Sequence, residues 1–405
     1  MTSLIKSFLP QQFINIFYHL PKAILANFSY GFPTRSLKVI GVTGTDGKTT
    51  TTNLIYQILK DAGYKVSMVS TINAEIAGKS YDTGFHVTSP EPEDVQKYAK
   101  MAKDNGDEYL VLEVTSHALD QFRFWGVKFD IGVITNITHD HLDYHGSFEN
   151  YFQTKAKLIK NVKLAVINHD EKHFNKLHQK TNGQVLSFGF SKNADFNPKT
   201  FPLNLNIPGD YNLQNAWAAV AVGTSLDIEK EKIKKSLENF KSLKGRMDEI
   251  KNNRGIKIIV DFAHTPNALE QALKTLRKQT AGHLIAVFGC AGKRDVTKRS
   301  LMGKISTEFA DLVVITSEDP RGELDRINEQ IITGIDQSKH KKDRQYFIIG
   351  DREKAVDFAI NNLAKKGDTV GIFGKGHEES LNLDGKKEIP WSDFTAVKQA
   401  LQNGR

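Results

Sequence analysis

A single cysteine, Cys290, stands in a chain of 405 residues. A disulfide framework needs pairs and a Cys-rich zinc ribbon needs several thiolates, so both are excluded; a reducing, cytoplasmic setting is the expectation. Basic blocks are lacking too. The formal net charge is +8, yet no Lys/Arg run is long or interleaved with aromatics in the way nucleic-acid grooves demand, so no nucleic-acid partner is expected. The charge is read as solubility plus phosphate-bearing small-molecule ligands. There is no internal repeat and no low-complexity segment. A long apolar run is also missing: the uncharged stretch from Ser7 to Pro21 is broken by Pro10, Pro21, Gln11, Gln12 and Asn15. With no small-residue cleavage site after it, the segment is neither a signal peptide nor a membrane span, and no stable membrane insertion is expected. Phe13, Ile16, Phe17 and Leu20 do fall at helical spacing, which predicts an amphipathic helix. Packing of that stripe against the body of the protein is favoured over membrane-surface attachment.

What is present is enough for a sizeable core. Hydrophobic residues make up 39% and charged residues 25%, and single cores rarely grow past about 250–300 residues, so a soluble protein of two or three domains is expected, and it is taken as a monomer. Short β-rich runs recur at 37–43, 109–114, 131–135, 256–262, 284–289, 311–316 and 369–373, separated by helical stretches. Such alternation predicts an α/β fold with mostly parallel sheets. A boundary is expected near Leu243–Gly245, after the charged run IEKEKIKKSLENFKSLKGR and before a new series of strands.

The strongest chemical signal is GVTGTDGKTTT at 41–51. An apolar strand enters a turn carrying Gly44 and Gly47, and Lys48 and Thr49 open a helix whose Leu54, Ile55, Ile58 and Leu59 face a core. Such a loop aims backbone N–H groups at phosphate oxygens, Lys48 neutralises phosphate charge, and the Thr49 hydroxyl can ligate Mg²⁺. The spacing departs from G-x-x-x-x-G-K-[ST] in having Val42 where the first glycine would be. An ordinary strand-to-helix turn is the bland alternative, but Gly-Lys-Thr at a helix mouth after a strand is the context that phosphate binding requires.

A second cluster lies at the ends of the next strands. YLVLEVTSHALDQFRF delivers Glu113, Thr115, Ser116, His117, Gln121 and Arg123; IGVITNITHDHLDYHG delivers Asn136, His139, Asp140, His141, Asp143 and His145. Ligands of open α/β sheets bind at strand ends. The hard carboxylate Glu113 with a Thr hydroxyl suits Mg²⁺ better than zinc. A zinc site from His139, His141 and His145 is the rival, weakened because their spacing does not aim three rings at one point.

Taken together, TGTDGKTTT, LEVTSH, TNITHDHLDYHG, YFQTKAKL, NLQNAWAA, GRMDEI, VDFAHTPNAL, FGCAGKRD, TSEDPR and GKGHE resemble, in order and spacing, the Mur ligases, most closely their UDP-N-acetylmuramoyl-tripeptide synthetase branch. The resemblance covers almost everything from Lys38 onward. It implies a central P-loop-type ATPase domain at 37–243 and a C-terminal Rossmann-like domain at 244–405, behind a short segment at 1–36. It further implies ATP held by Gly44, Thr45, Gly47, Lys48, Thr49 and Thr50, with Asn212 and Asn215 on the adenine side and Arg246 and Asp261 at the hinge and ribose. Thr49, Glu113, His141 and Lys155 match its Mg²⁺-side residues, Lys155 being the lysine the family carries as a carbamate, and Lys48, Lys155 and His141 are the expected catalytic set. Thr88, Ser89, Thr115, Gln121 and Arg123 match positions holding the acceptor's peptide and sugar. Arg299, Glu318, Asp319, Arg321, Gly374 and Glu378 match the pocket for the incoming amino acid. Seen alone, the asparagines read as helix caps, Arg246 with Asp261 as a surface ion pair, Lys155 as a solvated helix lysine and Arg321 as a loop arginine.

The implied chemistry is ATP-dependent: the D-Glu carboxylate of a nucleotide-linked muramoyl peptide becomes an acyl phosphate, and an amine then displaces phosphate. Arg321 is typical of members that add meso-diaminopimelate, whose extra carboxylate accepts a bidentate guanidinium. Glu318 and Asp319 depart from the usual Asp-Asn pair. Only about 36 residues precede the first strand, where the family carries a uridine-gripping domain, so that domain is expected to be missing or truncated. A γ-glutamyl ligase of the folylpolyglutamate type is the alternative; relatives with a four-cysteine metal site are excluded by the lone Cys290.

Overall fold

The computed structural model describes residues 10–81 and 89–404. The chain forms two compact units, one made of residues 1–137, 147–206 and 211–240, the other of 138–146, 207–210 and 241–405.

The first unit is built on eight strands: β1 (Lys38–Thr43), β2 (Val66–Val69), β3 (Ala74–Ile76), β4 (Lys79–Tyr81), β5 (Tyr109–Glu113), β6 (Phe129–Ile134), β7 (Leu164–Asn168) and β8 (Gln184–Phe188). Their order is β4-β3-β2-β5-β1-β6-β7-β8. All pairings from β2 to β8 are parallel, and only the β2–β3 and β3–β4 pairings at one edge are antiparallel. β1, β5 and β7 read as near-continuous apolar runs because both faces of a parallel sheet are covered. The helix Lys48–Asp61 buries Leu54, Ile55, Ile58 and Leu59, as the sequence predicts. Central β1 lies between β5 and β6 in a register that sets Val42 beside Glu113 and Thr43 beside Ile134. Three strand ends therefore converge where the glycine loop begins, the crevice that open α/β sheets use for ligands.

The second unit carries β9 (Asp248–Glu249), β10 (Lys257–Asp261), β11 (Leu284–Phe288), β12 (Leu312–Ile315), β13 (Tyr346–Ile348) and β14 (Thr369–Phe373) in the order β13-β12-β11-β14-β10-β9. Its pairings are parallel apart from β9 with β10, and a hairpin of Ser380–Asn382 with Glu388–Pro390 follows. One of its cores is aliphatic, with Ile258, Val260, Val287, Val314 and Ile372 from the sheet meeting Ala355, Val356, Ala396 and Val397 from helices. The α/β class with mostly parallel sheets is as the sequence predicts.

The N-terminal helix corrects an expectation. A continuous helical run of Gln11–Ile14, a π-turn at Asn15–His19 and Leu20–Tyr30 is present, but Phe13, Ile16 and Phe17 point outward and Leu20 is only half-buried. The packed face is instead Ile14, Asn15, Ala23, Ala26 and Asn27. Small residues let the backbone approach closely, and Asn27 Nδ2 donates to the Trp125 carbonyl at 2.6 Å. That bond, with Asn15 Nδ2 donating to Asp120 at 2.7 Å, ties down the side that the aromatic stripe does not occupy. Among the described residues no helix is long and apolar enough to cross a membrane.

Candidate active site

The loop after β1 has no room for side chains at two points. A Cβ on Gly44 would lie 1.8 Å from Thr135 Oγ1, and one on Gly47, whose φ is +82°, would lie 2.3 Å from Asn215 Oδ1. Both glycines are demanded by packing, and Gly47 also by its left-handed backbone. Neighbouring strand ends brace the loop: Thr135 Oγ1 donates to the Asp46 carbonyl at 2.6 Å, Asn136 Oδ1 accepts from Asp46 N–H at 2.9 Å, and Thr45 N–H donates to the Asn136 carbonyl at 2.9 Å. The helix Lys48–Asp61 starts directly from Gly47 without a side-chain cap, leaving its N-terminal N–H groups facing the loop. Lys48 Nζ folds back onto the carbonyls of Gly44 at 3.1 Å and Thr45 at 2.7 Å.

Lys155 reaches the same place from the helix Phe148–Ala156. It is 2% exposed, donates to the Gly44 carbonyl at 2.6 Å and lies 4.7 Å above the Tyr151 ring; the Tyr151 hydroxyl is 3.0 Å from Thr45 Oγ1. The solvated-lysine reading is thereby set aside. On the other side, Thr49 Oγ1 donates to Glu113 Oε1 at 3.0 Å, and Glu113 Oε2 accepts the Thr71 N–H at 2.8 Å. Glu113 is buried at the end of β5. A hydroxyl and a carboxylate in contact beside a phosphate-type loop form a hard oxygen pair, which fits Mg²⁺. Asn212 and Asn215, on the helix Asp210–Ser225, bond to each other at 3.3 Å, and Asn215 Oδ1 accepts from Thr51 Oγ1 at 3.3 Å. Thr50 is buried in the first turn of its helix.

The residues expected on the acceptor side are also joined by hydrogen bonds. Ser89 Oγ donates to the Glu113 carbonyl at 3.2 Å and accepts the Thr115 N–H at 3.0 Å. Arg123 donates to the Ser89 carbonyl at 2.9 Å and, through Nε and Nη2, to Gln121 Oε1 at 2.9 and 2.7 Å. Thr115 caps the helix Ser116–Asp120. Thr88 lies outside the described residues.

His141 belongs to the second unit, apart from the unit that carries Thr49, Glu113 and Lys155. Its Nε2 lies 3.3 Å from Asp140, and its own backbone is left-handed at φ +54°. Burial works against charge on Asp140, but His141, Lys298 and His264 outweigh it and hold that carboxyl below its ordinary range. His139 bonds Thr297 at 2.7 Å. Among the described residues no group of three or more His, Cys, Asp or Glu side chains could hold a metal ion, so His139, His141 and His145 do not assemble as a zinc set.

In the second unit Asp261 spends both oxygens on the backbone, accepting Met247 N–H at 2.7 Å and Ala263 N–H at 2.8 Å. Arg246 lies 4.4 Å over the Phe262 ring, and Asp261 is buried rather than at the surface. Arg299 is fully buried and donates to Gln330 at 2.5 Å and the Ala291 carbonyl at 2.9 Å. Asp319 lies 3.0 Å from Lys375 and 3.5 Å from Arg321, whose Nη1 donates to the Gly292 carbonyl at 3.0 Å. Gly374 faces Glu318, 3.2 Å from where its Cβ would be. Burial pushes Glu318 up to about 7, with Asp319 and Glu378 adding to the rise against Lys298 and Lys375. Burial likewise raises Glu378 and drives His377 down to about 3. Cys290 is pushed up to about 12 by burial, which makes it an inert thiol.

Sequence reasoning passes over three buried cations here. Arg352 grips Asp393 through two bonds of 2.7 and 2.8 Å and the carbonyls of Ser317 and Phe373. Lys298 donates to the His264 carbonyl at 2.7 Å, and Lys375 sits inside GKGHE. Only the last had a signal, since its motif singled out glycine and glutamate but not the lysine between two glycines.

Comparison with known proteins identifies the family. The Mur ligase middle domain family matches residues 42–223, and the Mur ligase, glutamate ligase domain family matches 245–376. The UDP-N-acetylmuramoyl-L-alanyl-D-glutamate–2,6-diaminopimelate ligase of Clostridium botulinum is 38% identical over 94% of this chain and 81% of its own length. A solved structure of an enzyme with that name aligns at TM-score 0.59 and 30% identity, over 91% of this chain and 78% of the other. The MurF ligase of Thermotoga maritima, solved in complex with ADP, aligns at TM-score 0.67 and 21% identity over 94% and 83% of the two chains, a likeness of fold. By domain matches, by identity and by coverage, this chain belongs to the Mur ligase family.

Proposed function

We propose that the chain is an ADP-forming acid–amino acid ligase of the tripeptide-synthetase branch, joining meso-diaminopimelate to the D-Glu carboxylate of UDP-MurNAc-L-Ala-D-Glu in peptidoglycan synthesis. The observation that carries this reading is the glycine loop with Lys48 folded over it and Thr49 bonded to Glu113. The relatives named as diaminopimelate ligases favour it over a folylpolyglutamate-type ligase. In this reading residues 37–243 bind ATP and residues 244–405 the incoming amino acid.

The N–H groups at the start of the helix Lys48–Asp61 and the Lys48 ammonium hold the ATP phosphates. Thr49 and Glu113, with a carbamylated Lys155, would hold Mg²⁺, which when bound draws charge from the γ-phosphate; His141, which the resemblance adds to that set, belongs to the second unit. The acceptor carboxylate, oriented by Ser89, Thr115, Gln121 and Arg123, attacks that phosphorus to give an acyl phosphate and ADP. An amine held by Arg321, Glu318, Asp319, Gly374 and Glu378 then adds to the acyl carbon, and inorganic phosphate leaves. Asn212, Asn215, Arg246 and Asp261 sit toward the nucleoside.

The test is mass spectrometry of products after incubation with Mg-ATP, UDP-MurNAc-L-Ala-D-Glu and either meso-diaminopimelate or L-lysine. The diaminopimelate tripeptide is the expected product. Lysine addition would keep the ligase and discard the role given to Arg321; no product from either, with ATP bound, would overturn the acceptor.

A further inference from the structure

Lys375 is buried between two glycines, Gly374 and Gly376, whose backbones are left-handed at φ +107° and +54°. No step of the proposed ligation uses it. A Cβ on Gly376 would lie 2.8 Å from Phe262 Cβ and 2.9 Å from the Gly245 carbonyl, and one on Gly374 would lie 3.2 Å from Glu318. The chain on both sides of the lysine is thus pressed against its neighbours, which fixes where the side chain starts. Its ammonium lies 3.0 Å from Asp319 Oδ1 and 2.5 Å from Glu378 Oε2. The two carboxylates belong to different segments, Asp319 to the loop after β12 and Glu378 to the loop after β14. Asp319 Oδ1 also accepts the Asn382 N–H at 3.0 Å, and its Oδ2 lies 3.5 Å from Arg321 Nη2. One cation therefore ties together two loops that both carry residues proposed for the incoming amino acid.

Exposure separates the roles of the three side chains. Lys375 is 1% exposed, Asp319 15% and Glu378 35%, so the carboxylates reach the surface and the cation lies beneath them. A ligand would meet the carboxylates and not the lysine. Two carboxylates sharing a site disfavour each other's charge, and a cation between them reverses that. Burial and Asp319 work against charge on Glu378, while Lys375, by charge and by hydrogen bond, and Arg246 oppose them. The other titratable groups around the ammonium are Glu318, pushed up to about 7 with Lys298 of the helix Thr297–Phe309 acting against the rise, and His377, which burial with Arg246, Lys244 and His264 keeps neutral. Taking Lys375 away would leave burial and repulsion on Glu378 opposed by Arg246 without its main partner. A carboxyl that takes up a proton no longer attracts an ammonium group.

We propose that Lys375 is a positioning residue for the incoming amino acid, holding the Asp319 and Glu378 carboxylates charged and in place for its ammonium group; this rests on the ligase reading above. The test is the KM for meso-diaminopimelate and for L-lysine in the ligation assay, comparing Lys375→Met, Lys375→Gln and Lys375→Arg with the wild-type chain from pH 7 to pH 9. The KM for ATP and the urea midpoint are measured alongside. Dividing variant by wild type cancels the titration of the amino acid itself. For Lys375→Met the amino-acid KM ratio should be about tenfold or more at pH 7, the effect of a shift of about one unit on a carboxyl, and should shrink toward pH 9 as that carboxyl ionises. Lys375→Gln, which keeps a donor without the charge, should give the same pH-dependent ratio, so the test does not hang on one variant folding. Lys375→Arg should restore most of the wild-type KM, and the KM for ATP should not move. A merely structural lysine would lower the urea midpoint and leave a ratio that pH does not change. A ratio near one, a ratio flat across this pH range, or an equal loss in Lys375→Arg would overturn the proposal. No product from the wild-type chain with either amino acid would instead overturn the ligase reading, and the proposal with it.

Discussion

Cations of two kinds show how the units differ. Lys48 in the first unit rests on the backbone carbonyls of Gly44 and Thr45, neutral acceptors that a phosphate could replace. Arg352 in the second is locked to Asp393 at both oxygens and to two further carbonyls, with neither side chain exposed. A cation on exchangeable acceptors is poised for a ligand, whereas one neutralised by a buried carboxylate is committed to the fold. The same residue chemistry therefore marks a binding loop in one unit and a structural lock in the other.

The sharpest way to break this comparison is to remove a cation from each unit. Lys48→Ala should lower turnover on the order of 10³-fold or more while the melting temperature moves by no more than about 2 °C, because the carbonyls it leaves stay beside solvent and the loop is braced by Thr135 and Asn136. Retained turnover would contradict the assignment of the loop. Arg352→Ala should do the reverse. It strands the Asp393 carboxylate in a site with no exposure, a loss of about 3–5 kcal/mol read from the urea midpoint. Replacing both partners by Arg352→Met/Asp393→Leu should restore much of it. An unchanged midpoint in the single variant would show that Arg352 is not a lock.

Glu318 sharpens the contrast within the second unit. Its folded carboxyl is raised to about 7 from an ordinary 4.5, so between those values the folded protein binds the proton that the unfolded chain has released. Stability from this group is then full below about pH 4.5, falls as pH rises and is lost above about 7, a change of about 3 kcal/mol. Glu318→Gln should flatten that stretch of the stability-versus-pH curve. A slope that survives the substitution would place its origin elsewhere.

How much the sequence discloses follows the same division. The seven β-rich runs all become strands, and the glycine loop lands between β5 and β6, because apolar runs and glycine-lysine-threonine spacing are local signals. Val66–Val69, Leu164–Asn168, Gln184–Phe188 and Tyr346–Ile348 were not among the runs read as strands, although all but the last are as long as several that were, so run length does not separate the two sets. The burial of Lys155 and the Arg352–Asp393 lock depend on contacts 111 and 41 residues apart, which no spacing rule reaches. The N-terminal helix was legible as a helix but not in its orientation, since an apolar stripe says which face is greasy and not which face two asparagines tie down.

The smallest expected effect compares two capping threonines, of which one is proposed to serve a substrate as well. Thr265 opens the helix Pro266–Gln279 by accepting Ala268 N–H at 3.0 Å, and Thr115 opens the helix Ser116–Asp120 by accepting Ala118 N–H at 3.2 Å. Each, changed to Ala, should cost about 1 kcal/mol in stability. Thr115 additionally donates its backbone N–H to Ser89, which is bonded in turn to the Glu113 carbonyl and to Arg123, so it sits among the residues proposed for the acceptor. Thr115→Ala should therefore raise the acceptor's KM several-fold, while Thr265→Ala leaves it unchanged at the same loss of stability. Equal KM values for the two variants would reduce Thr115 to a helix cap and remove it from the acceptor set.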